Sequence, residues 1–377
     1  MTERSGFGLY VHWPFCQAKC PYCDFNSHVA ASVDQSRWRS AMESEIRRVG
    51  RETEGLVLDT IFFGGGTPSL MEPETVAKVI ETARSVWTPS NDMEITLEAN
   101  PTSVEASRFQ GYSEAGVNRV SIGIQSLRDA DLKRLGRLHS SQEAVAALEI
   151  ARSVFDRVSF DLIYARQNQS LADWKDELSE ALSLHPDHLS LYQLSIEDGT
   201  AFGDRFARGK LSGLPGEDLA ADMFEATQEI TSRAGLPAYE ISNHAKPGQE
   251  SRHNLIYWRS ANWAAVGPGA HGRCTFQGSR VATAAFPAPG AWLEAVEKRG
   301  SGEATQELLS DEEAFEERVM MGLRLREGVS RSIFSPIYLS KINELVDTGL
   351  IEVSSETLRA TPMGRPVLNF ILRQLLA

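Results

Sequence analysis

The feature that most constrains this chain is an alternation of short apolar runs with longer amphipathic stretches, sustained to about residue 236. The runs Leu9–His12, Leu58–Phe63, Glu94–Glu98, Arg119–Ile124, Val158–Ile163 and His188–Leu194 have the length and composition of buried strands. Between and after them, Gln35–Val49, Glu74–Val86, Val104–Ala115, Gln142–Val154, Leu171–Leu184 and Leu219–Ala234 repeat apolar residues at helical spacing. Strand and helix in alternation predict a parallel sheet with right-handed crossovers. Six such units fall short of the eight strands and roughly 250 residues of a closed α/β barrel. The expected fold is therefore α/β, a partial and open (β/α)6 barrel.

Chemistry in parallel α/β folds gathers at the carboxyl ends of the strands, and polar residues recur there. The first strand runs into Cys16, Cys20 and Cys23, and the second into Gly64-Gly65-Gly66-Thr67-Pro68. The third ends in Glu98-Ala99-Asn100-Pro101 and the fourth in Gln125-Ser126; the fifth carries Asp161, and the sixth ends in Tyr192-Gln193-Leu194-Ser195. Each taken alone is a weak signal, since a glycine run is as often a tight turn and an Asp as often a cap. The glycines match neither a dinucleotide nor a P-loop fingerprint. Together, a cysteine loop and a glycine loop on neighbouring strand ends point to a small polar cofactor held between them.

Of the four cysteines, three lie within eight residues, spaced C-x-x-x-C-x-x-C, and Cys274 stands far downstream. Isolated thiols pack as small hydrophobes, but a triplet at this spacing asks for a metal or cluster. A structural zinc ion would need a fourth ligand, for which His12 or His28 could be recruited, although the spacing matches no common zinc module. Three thiolates on a four-iron cluster would leave one iron open, and an open metal position is where chemistry occurs.

Composition narrows the partners. The chain has 38 basic and 51 acidic side chains and a net charge of −13, which disfavours a phosphate backbone. No run reaches the roughly 18 apolar residues of a membrane span, and Met1-Thr2-Glu3-Arg4-Ser5-Gly6 has no signal-peptide pattern. A cytoplasmic protein with no nucleic-acid partner is expected. Residues 310–377 read as a winged-helix-like module, with helices at Glu312–Leu325 and Ser335–Thr348 and a hairpin from Leu350–Val353 and Leu358–Ala360. Eight basic against ten acidic residues from 311 to 377 give it no DNA-binding footprint.

The segment Tyr10-Val11-His12-Trp13-Pro14-Phe15-Cys16-Gln17-Ala18-Lys19-Cys20-Pro21-Tyr22-Cys23 resembles the cluster segment of radical S-adenosylmethionine (SAM) enzymes. Phe63–Leu70, Leu97–Pro101, Gly116–Ser126, Leu135–Arg137, Phe160–Tyr164, Tyr239–Asn243 and His253–Trp258 extend the likeness over nearly the whole chain. More narrowly, it resembles the oxygen-independent coproporphyrinogen III oxidase-like group and, within it, the HemW-type heme chaperones. The resemblance implies a [4Fe-4S] cluster on Cys16, Cys20 and Cys23, with SAM chelating the fourth iron. Tyr10 and Tyr22 would flank cluster and cofactor, and the backbone at Gly65, Gly66 and Thr67 would meet the methionine end. Glu98, Gln125, Arg137, Asp161 and Ser195 match positions that contact one or two SAM molecules in the oxidases. One-electron cleavage of the sulfonium would release a 5′-deoxyadenosyl radical.

Departures from the oxidase pattern choose the branch. The oxidases carry a further cysteine as C-x-C and a substantial segment before the cluster; here Cys23 is followed by Asp24-Phe25-Asn26-Ser27, and nine residues precede Tyr10. The resemblance then implies heme as ligand, an acceptor apoprotein as partner, and His253 in His-Asn-x-x-Tyr-Trp as candidate axial ligand. On the chemistry of the residues alone, His271 and Cys274 are secondary candidates, with Cys274 read as a buried spectator. A homodimer is a further possible partner. The alternative is a coproporphyrinogen III oxidase or related radical enzyme acting on a tetrapyrrole. The expected division is a radical SAM core over 1–236, a connecting segment over 237–309 with Phe286-Pro287-Ala288-Pro289-Gly290 as a turn, and a C-terminal module over 310–377 that covers the barrel.

Overall fold

The computed structural model describes residues 6–376; the first five residues, read above for a targeting signal, and Ala377 lie outside the described residues. Six parallel strands follow one another in sequence and in space: β1 (Phe7–Trp13), β2 (Val57–Gly65), β3 (Thr88–Ala99), β4 (Arg119–Gln125), β5 (Arg157–Tyr164) and β6 (His188–Gln193). The helices between them include α1 (Gln35–Glu52), α2 (Pro73–Val86), α3 (Phe109–Ala115), α4 (Asp129–Arg134), α5 (Ser141–Val154) and α6 (Leu171–Ser183). Reciprocal Ser140–Glu143 and Ser170–Asp173 capping boxes start α5 and α6, satisfying amide donors that a helix start leaves unpaired.

Alternation along each strand sorts the two faces. In β1, Phe7, Leu9, Val11 and Trp13 join the main apolar core with Trp38, Met42 and Ile46 of α1. Trp13 is fully buried, and removing a side chain of that size from water contributes about 2–3 kcal/mol. The opposite face of β1 places Gly8 and Tyr10 against Thr60, Phe62 and His253.

The sheet does not stop at six strands. After α7 (Ala201–Ala207) and α8 (Glu217–Arg233), β7 (Asn243–Ala245) pairs antiparallel with β6. Helix α9 (Arg252–Trp258) leads to β8 (Asn262–Val266), which lies parallel to β1 on its free side. Strands β9 (His271–Phe276), β10 (Ser279–Ala285) and β11 (Glu303–Leu308) then add antiparallel, giving an open eleven-stranded sheet ordered β11-β10-β9-β8-β1-β2-β3-β4-β5-β6-β7. The expectation that strand–helix alternation ends near residue 236 is corrected here: α9 and β8 form one more unit, masked by short strands without a clean apolar period. The Phe286–Gly290 turn feeds α10 (Pro289–Arg299), with Pro289 in its first turn, and α10 stacks Trp292 on Trp38 at 5.4 Å.

Helix α9 closes the amino-terminal ends of the central strands. Buried Glu94 pairs with Arg157 at 2.5 Å and accepts the amides of Arg252 at 3.2 Å and His253 at 3.1 Å, so its charge sits at the helix start. The C-terminal module has its own apolar core around Val319, Leu323, Ile342, Leu358 and Ile371 and a small three-stranded sheet. It docks beside α9: Glu317 pairs with Arg273 at 2.7 Å and Arg280 at 3.1 Å, and Arg365 donates to the Glu240 carbonyl at 2.7 Å. It therefore abuts the amino-terminal end of the sheet, and among the described residues none beyond Ser195 lines the cavity at the opposite end.

Candidate functional site

The cysteine loop opens where β1 ends. Phe15–Cys16 pairs with His28–Val29, so the segment returns to its own start and the three thiols project from a closed loop. None of the described cysteines is in a disulfide. Thr67 Oγ1 donates to Cys16 Sγ at 3.4 Å, Arg137 Nη1 donates to Cys20 Sγ at 3.4 Å, and Ser27 Oγ lies 3.8 Å from Cys23 Sγ. Burial pushes the Cys16 and Cys23 thiols upward, with the Thr67 and Ser27 hydroxyls acting in the opposite direction.

Asn26, which the sequence reading did not single out, fixes the far end of this loop. Its Nδ2 donates to the carbonyls of Pro268 and Pro287, each at 2.9 Å, and its Oδ1 accepts from His28 Nε2 at 3.1 Å. Its own carbonyl lies 2.9 Å from His12 Nε2. A carbonyl only accepts, so His12 carries its proton on Nε2 and its Nδ1 accepts from Tyr10 Oη at 2.9 Å. His12 and His28, considered as fourth zinc ligands, are thus spent on the loop's architecture. Among the described residues no three His, Cys, Asp or Glu side chains gather tightly enough to hold one metal ion. Three thiols on one loop, none of them in a disulfide, would suit a multinuclear iron–sulfur cluster, in which each thiolate takes a different iron.

A cavity of about 380 Å³ lies beside these thiols at the carboxyl ends of β1–β6. Its wall brings together Cys16, Cys20, Cys23, Tyr22, Gly65, Gly66, Thr67, Glu98, Gln125, Arg137, Asp161 and Ser195. The glycine loop comes this close because it has no side chains. A Cβ on Gly65, at φ +114°, would stand 2.6 Å from the His12 ring, and one on Gly66 would stand 2.8 Å from the Pro14 carbonyl oxygen.

Polar groups in the wall are only partly matched by protein partners. Gln125 holds a left-handed φ of 71° and its buried Oε1 has no hydrogen-bond partner. A strained backbone that presents an orphaned acceptor is a mark of a binding site. Glu98 accepts one amide, from Gly65 at 3.3 Å, and Asp161 accepts from Ser121 Oγ at 3.3 Å. Burial, then the Asp161 charge, pushes the Glu98 carboxyl up to about 8; burial pushes Asp161 up to about 6. Arg137 is held by the Asn100 amide oxygen at 2.5 Å and the Gly123 carbonyl at 2.8 Å. Asn100, at the end of β3, also donates to Thr67 Oγ1 at 3.4 Å and so ties three strand ends together; its position after Glu98 was the available sequence signal. Under-neutralised carboxylates, a fixed guanidinium, an orphaned carboxamide oxygen and bare backbone fit a ligand with cationic, carboxylate and hydroxyl groups, as SAM has.

Two candidates lie elsewhere. Tyr10 does not line the cavity; it is one layer deeper, stacked on Phe62 and bonded to His12. His253 is fully buried, with Nδ1 2.7 Å from Thr60 Oγ1 and Nε2 2.8 Å from Tyr257 Oη. Both ring nitrogens are occupied, and burial drives its pKa down to about 3. In this conformation both ring nitrogens face hydroxyls of the protein itself, so a role as axial heme ligand would require α9 to open. The period of α9 shows that residue 253 repeats with 257, not that this face turns inward. His271 is exposed on β9, and Cys274 is buried, its thiol pushed up to about 12 by desolvation.

Comparison with known proteins agrees with this architecture. The family described as the radical SAM superfamily matches residues 10–181, and the HemN C-terminal domain matches residues 309–367. The chain is 36% identical to the heme chaperone HemW of Escherichia coli K12 over the full length of both proteins. It is 38% identical to the bovine mitochondrial radical S-adenosyl methionine domain-containing protein 1, over 98% of this chain and 87% of that protein. Among solved structures, the coproporphyrinogen III oxidase HemN of E. coli superposes with a TM-score of 0.83 at 21% identity, over 98% of this chain and 90% of that one.

Proposed function

The chain belongs to the radical SAM superfamily and, within it, to the HemW family, and from that membership we propose that it is a heme-binding chaperone that hands heme to an acceptor apoprotein. The observation that carries this reading is the identity of 36% over the whole length of a heme chaperone, which leaves no part of that relative unmatched. Cys16, Cys20 and Cys23 would hold a [4Fe-4S] cluster, and SAM would occupy the neighbouring cavity. When bound, the pair supplies one-electron cleavage of the sulfonium. The chain's own share is orientation: the Gly65–Thr67 backbone and Arg137 suit the methionine carboxylate and amine, Glu98 and Asp161 suit positive charge and hydroxyls, and Gln125 offers its orphaned oxygen. On the same reading the chain works in the cytoplasm.

The seat of heme is a separate matter from the cavity. The cavity beside the thiols, about 380 Å³, is the one this reading gives to SAM. His253 is closed to iron while α9 keeps its present packing.

The test is anaerobic reconstitution, then addition of heme in one portion and of SAM, reductant and coproporphyrinogen III in another. The chaperone reading expects stoichiometric heme binding in the visible spectrum and no protoporphyrinogen. Catalytic turnover of coproporphyrinogen would replace it with the oxidase reading.

A further inference from the structure

Each of the three thiols has a polar side chain of its own beside it, and two of those side chains share a partner. Thr67 Oγ1 donates to Cys16 Sγ and Arg137 Nη1 donates to Cys20 Sγ, both at 3.4 Å, while Ser27 Oγ stands 3.8 Å from Cys23 Sγ. Asn100 links the first two: its Nδ2 donates to Thr67 Oγ1 at 3.4 Å, and its Oδ1 accepts from Arg137 Nη2 at 2.5 Å. One unbroken run of hydrogen bonds therefore joins Cys16 to Cys20 through residues that follow β2, β3 and α4.

Chemistry fixes the direction of every bond in this run. A guanidinium only donates, so the carboxamide turns its oxygen to Arg137 and its nitrogen to Thr67. A hydroxyl that accepts from an amide keeps its own proton for another acceptor, and Thr67 aims that proton at Cys16. Asn100 is itself held in place. Its backbone amide donates to Glu105 Oε2 at 3.0 Å, and the buried Glu105 carboxylate also accepts from the hydroxyls of Ser69 and Thr102. An asparagine that only shapes a turn bonds to nearby backbone. Among the described residues the Asn100 carboxamide makes no such bond; both of its ends go to side chains that reach thiols.

We infer that Asn100 is a positioning residue for electron uptake: it holds the Thr67 hydroxyl and the Arg137 guanidinium on Cys16 and Cys20, and through them raises the potential at which a cluster on these thiolates is reduced. The inference rests on the cluster reading of the three thiols. Reduction adds negative charge that spreads onto the sulfurs, so a donor aimed at a thiolate stabilises the reduced state more than the oxidised one. Arg137 brings a permanent positive charge to the same place. Hydrogen bonds in series polarise one another, so removing the middle member weakens both ends. The step balances as one electron gained by the cluster and one lost by the reductant, dithionite in the test below, with no bond made at the cluster and no proton moved.

The test is a dye-mediated redox titration of the reconstituted full chain without SAM, with dithionite added stepwise and the reduced cluster counted by electron paramagnetic resonance. Wild type is compared with Asn100→Leu, which removes both polar ends, and with Thr67→Val and Thr67→Ser, which remove and restore the hydroxyl on Cys16. The signal is normalised to bound iron, so chains that take up no cluster do not weigh on the midpoint. Asn100→Leu and Thr67→Val are expected to move the midpoint to more negative potential, and Thr67→Ser to keep it. The loss of one charge-assisted hydrogen bond lowers the ratio of reduced to oxidised cluster at a fixed potential by about tenfold, a shift of about 59 mV for a one-electron couple. Wild-type midpoints in Asn100→Leu and Thr67→Val, at whatever iron content, would overturn the inference, since a network that only shapes the loop changes loading and leaves the potential alone. Should Asn100→Leu load no iron, the Thr67 pair decides by the same criterion. Failure of the cluster reading has a different signature: wild type itself would carry no iron or sulfide and give no signal.

Discussion

The side-chain amide of Asn26 donates to the Pro268 carbonyl at 2.9 Å, joining the end of the cysteine loop to a turn 242 residues further along the chain. The second amide hydrogen goes to Pro287 at the same distance. The loop is thereby fastened to the part of the sheet that β8–β11 add beyond β1.

Asn26→Ala removes both donors and leaves the two carbonyls to find water. A loss of about 1–3 kcal/mol is expected from two such bonds, read as a shift in urea midpoint. Iron should also leave the reconstituted protein faster under a chelator. Asn26→Asp, which keeps the acceptor but has no donors, should behave like Ala. An iron-loss rate equal to wild type in both variants would show that the loop needs no latch.

Gly66→Ala should cost the site more than it costs the fold. The new Cβ would meet the Pro14 and Phe15 carbonyl oxygens at 2.8 and 2.9 Å, and backbone of this kind yields only by moving the whole loop. Iron content after reconstitution and SAM retention on a desalting column are expected to fall together, with far-UV circular dichroism unchanged. Full iron and SAM in the variant would mean that the glycine loop is not a cradle.

Glu98 makes stability depend on pH in a stated direction. Its carboxyl is raised from 4.5 to about 8, and that of Asp161 from 3.8 to about 6. Desolvation is the first cause for both; the two carboxylates repel, while Arg119 and the Gly65 amide pull Glu98 back. Between pH 4.5 and 8 the folded chain holds a proton on Glu98 that the unfolded chain has released. The contribution of this group is therefore complete below pH 4.5 and is lost as pH rises towards 8. Glu98→Gln, a mimic of the protonated acid, should raise stability more at pH 8 than at pH 5, by on the order of 2–3 kcal/mol once water in the cavity is allowed for. Equal effects at the two pH values would contradict the raised carboxyl.

His253→Ala tests the structural role of that residue. Deleting the ring opens a void and strands the Thr60 and Tyr257 hydroxyls, so a loss of about 2–4 kcal/mol is expected in the absence of any heme. An unchanged denaturation midpoint would return His253 to the list of available ligands.

Much of this was legible in the sequence for a physical reason. The runs at Leu9–His12, Leu58–Phe63 and Arg119–Ile124 fall inside β1, β2 and β4, because strands buried on both faces read as continuous apolar stretches bounded by polar ends. Those polar ends were also the cavity wall, since a parallel sheet puts every strand's carboxyl end on one rim. What escaped was set by contacts distant in sequence. Nothing in Asn262–Val266 shows that it pairs with β1, and nothing in the letter Asn at position 26 shows which carbonyls it reaches. Strand period alone did not place Tyr10 a layer below the cavity.

The central claim is that Cys16, Cys20 and Cys23 hold a cluster whose remaining iron faces the SAM-sized cavity. Electron paramagnetic resonance of the reduced, reconstituted protein, recorded with and without SAM, addresses it most directly. The account predicts four irons and four sulfides per chain and a cluster signal that shifts when SAM is added. A protein with no iron, or one whose signal is indifferent to SAM, would contradict it.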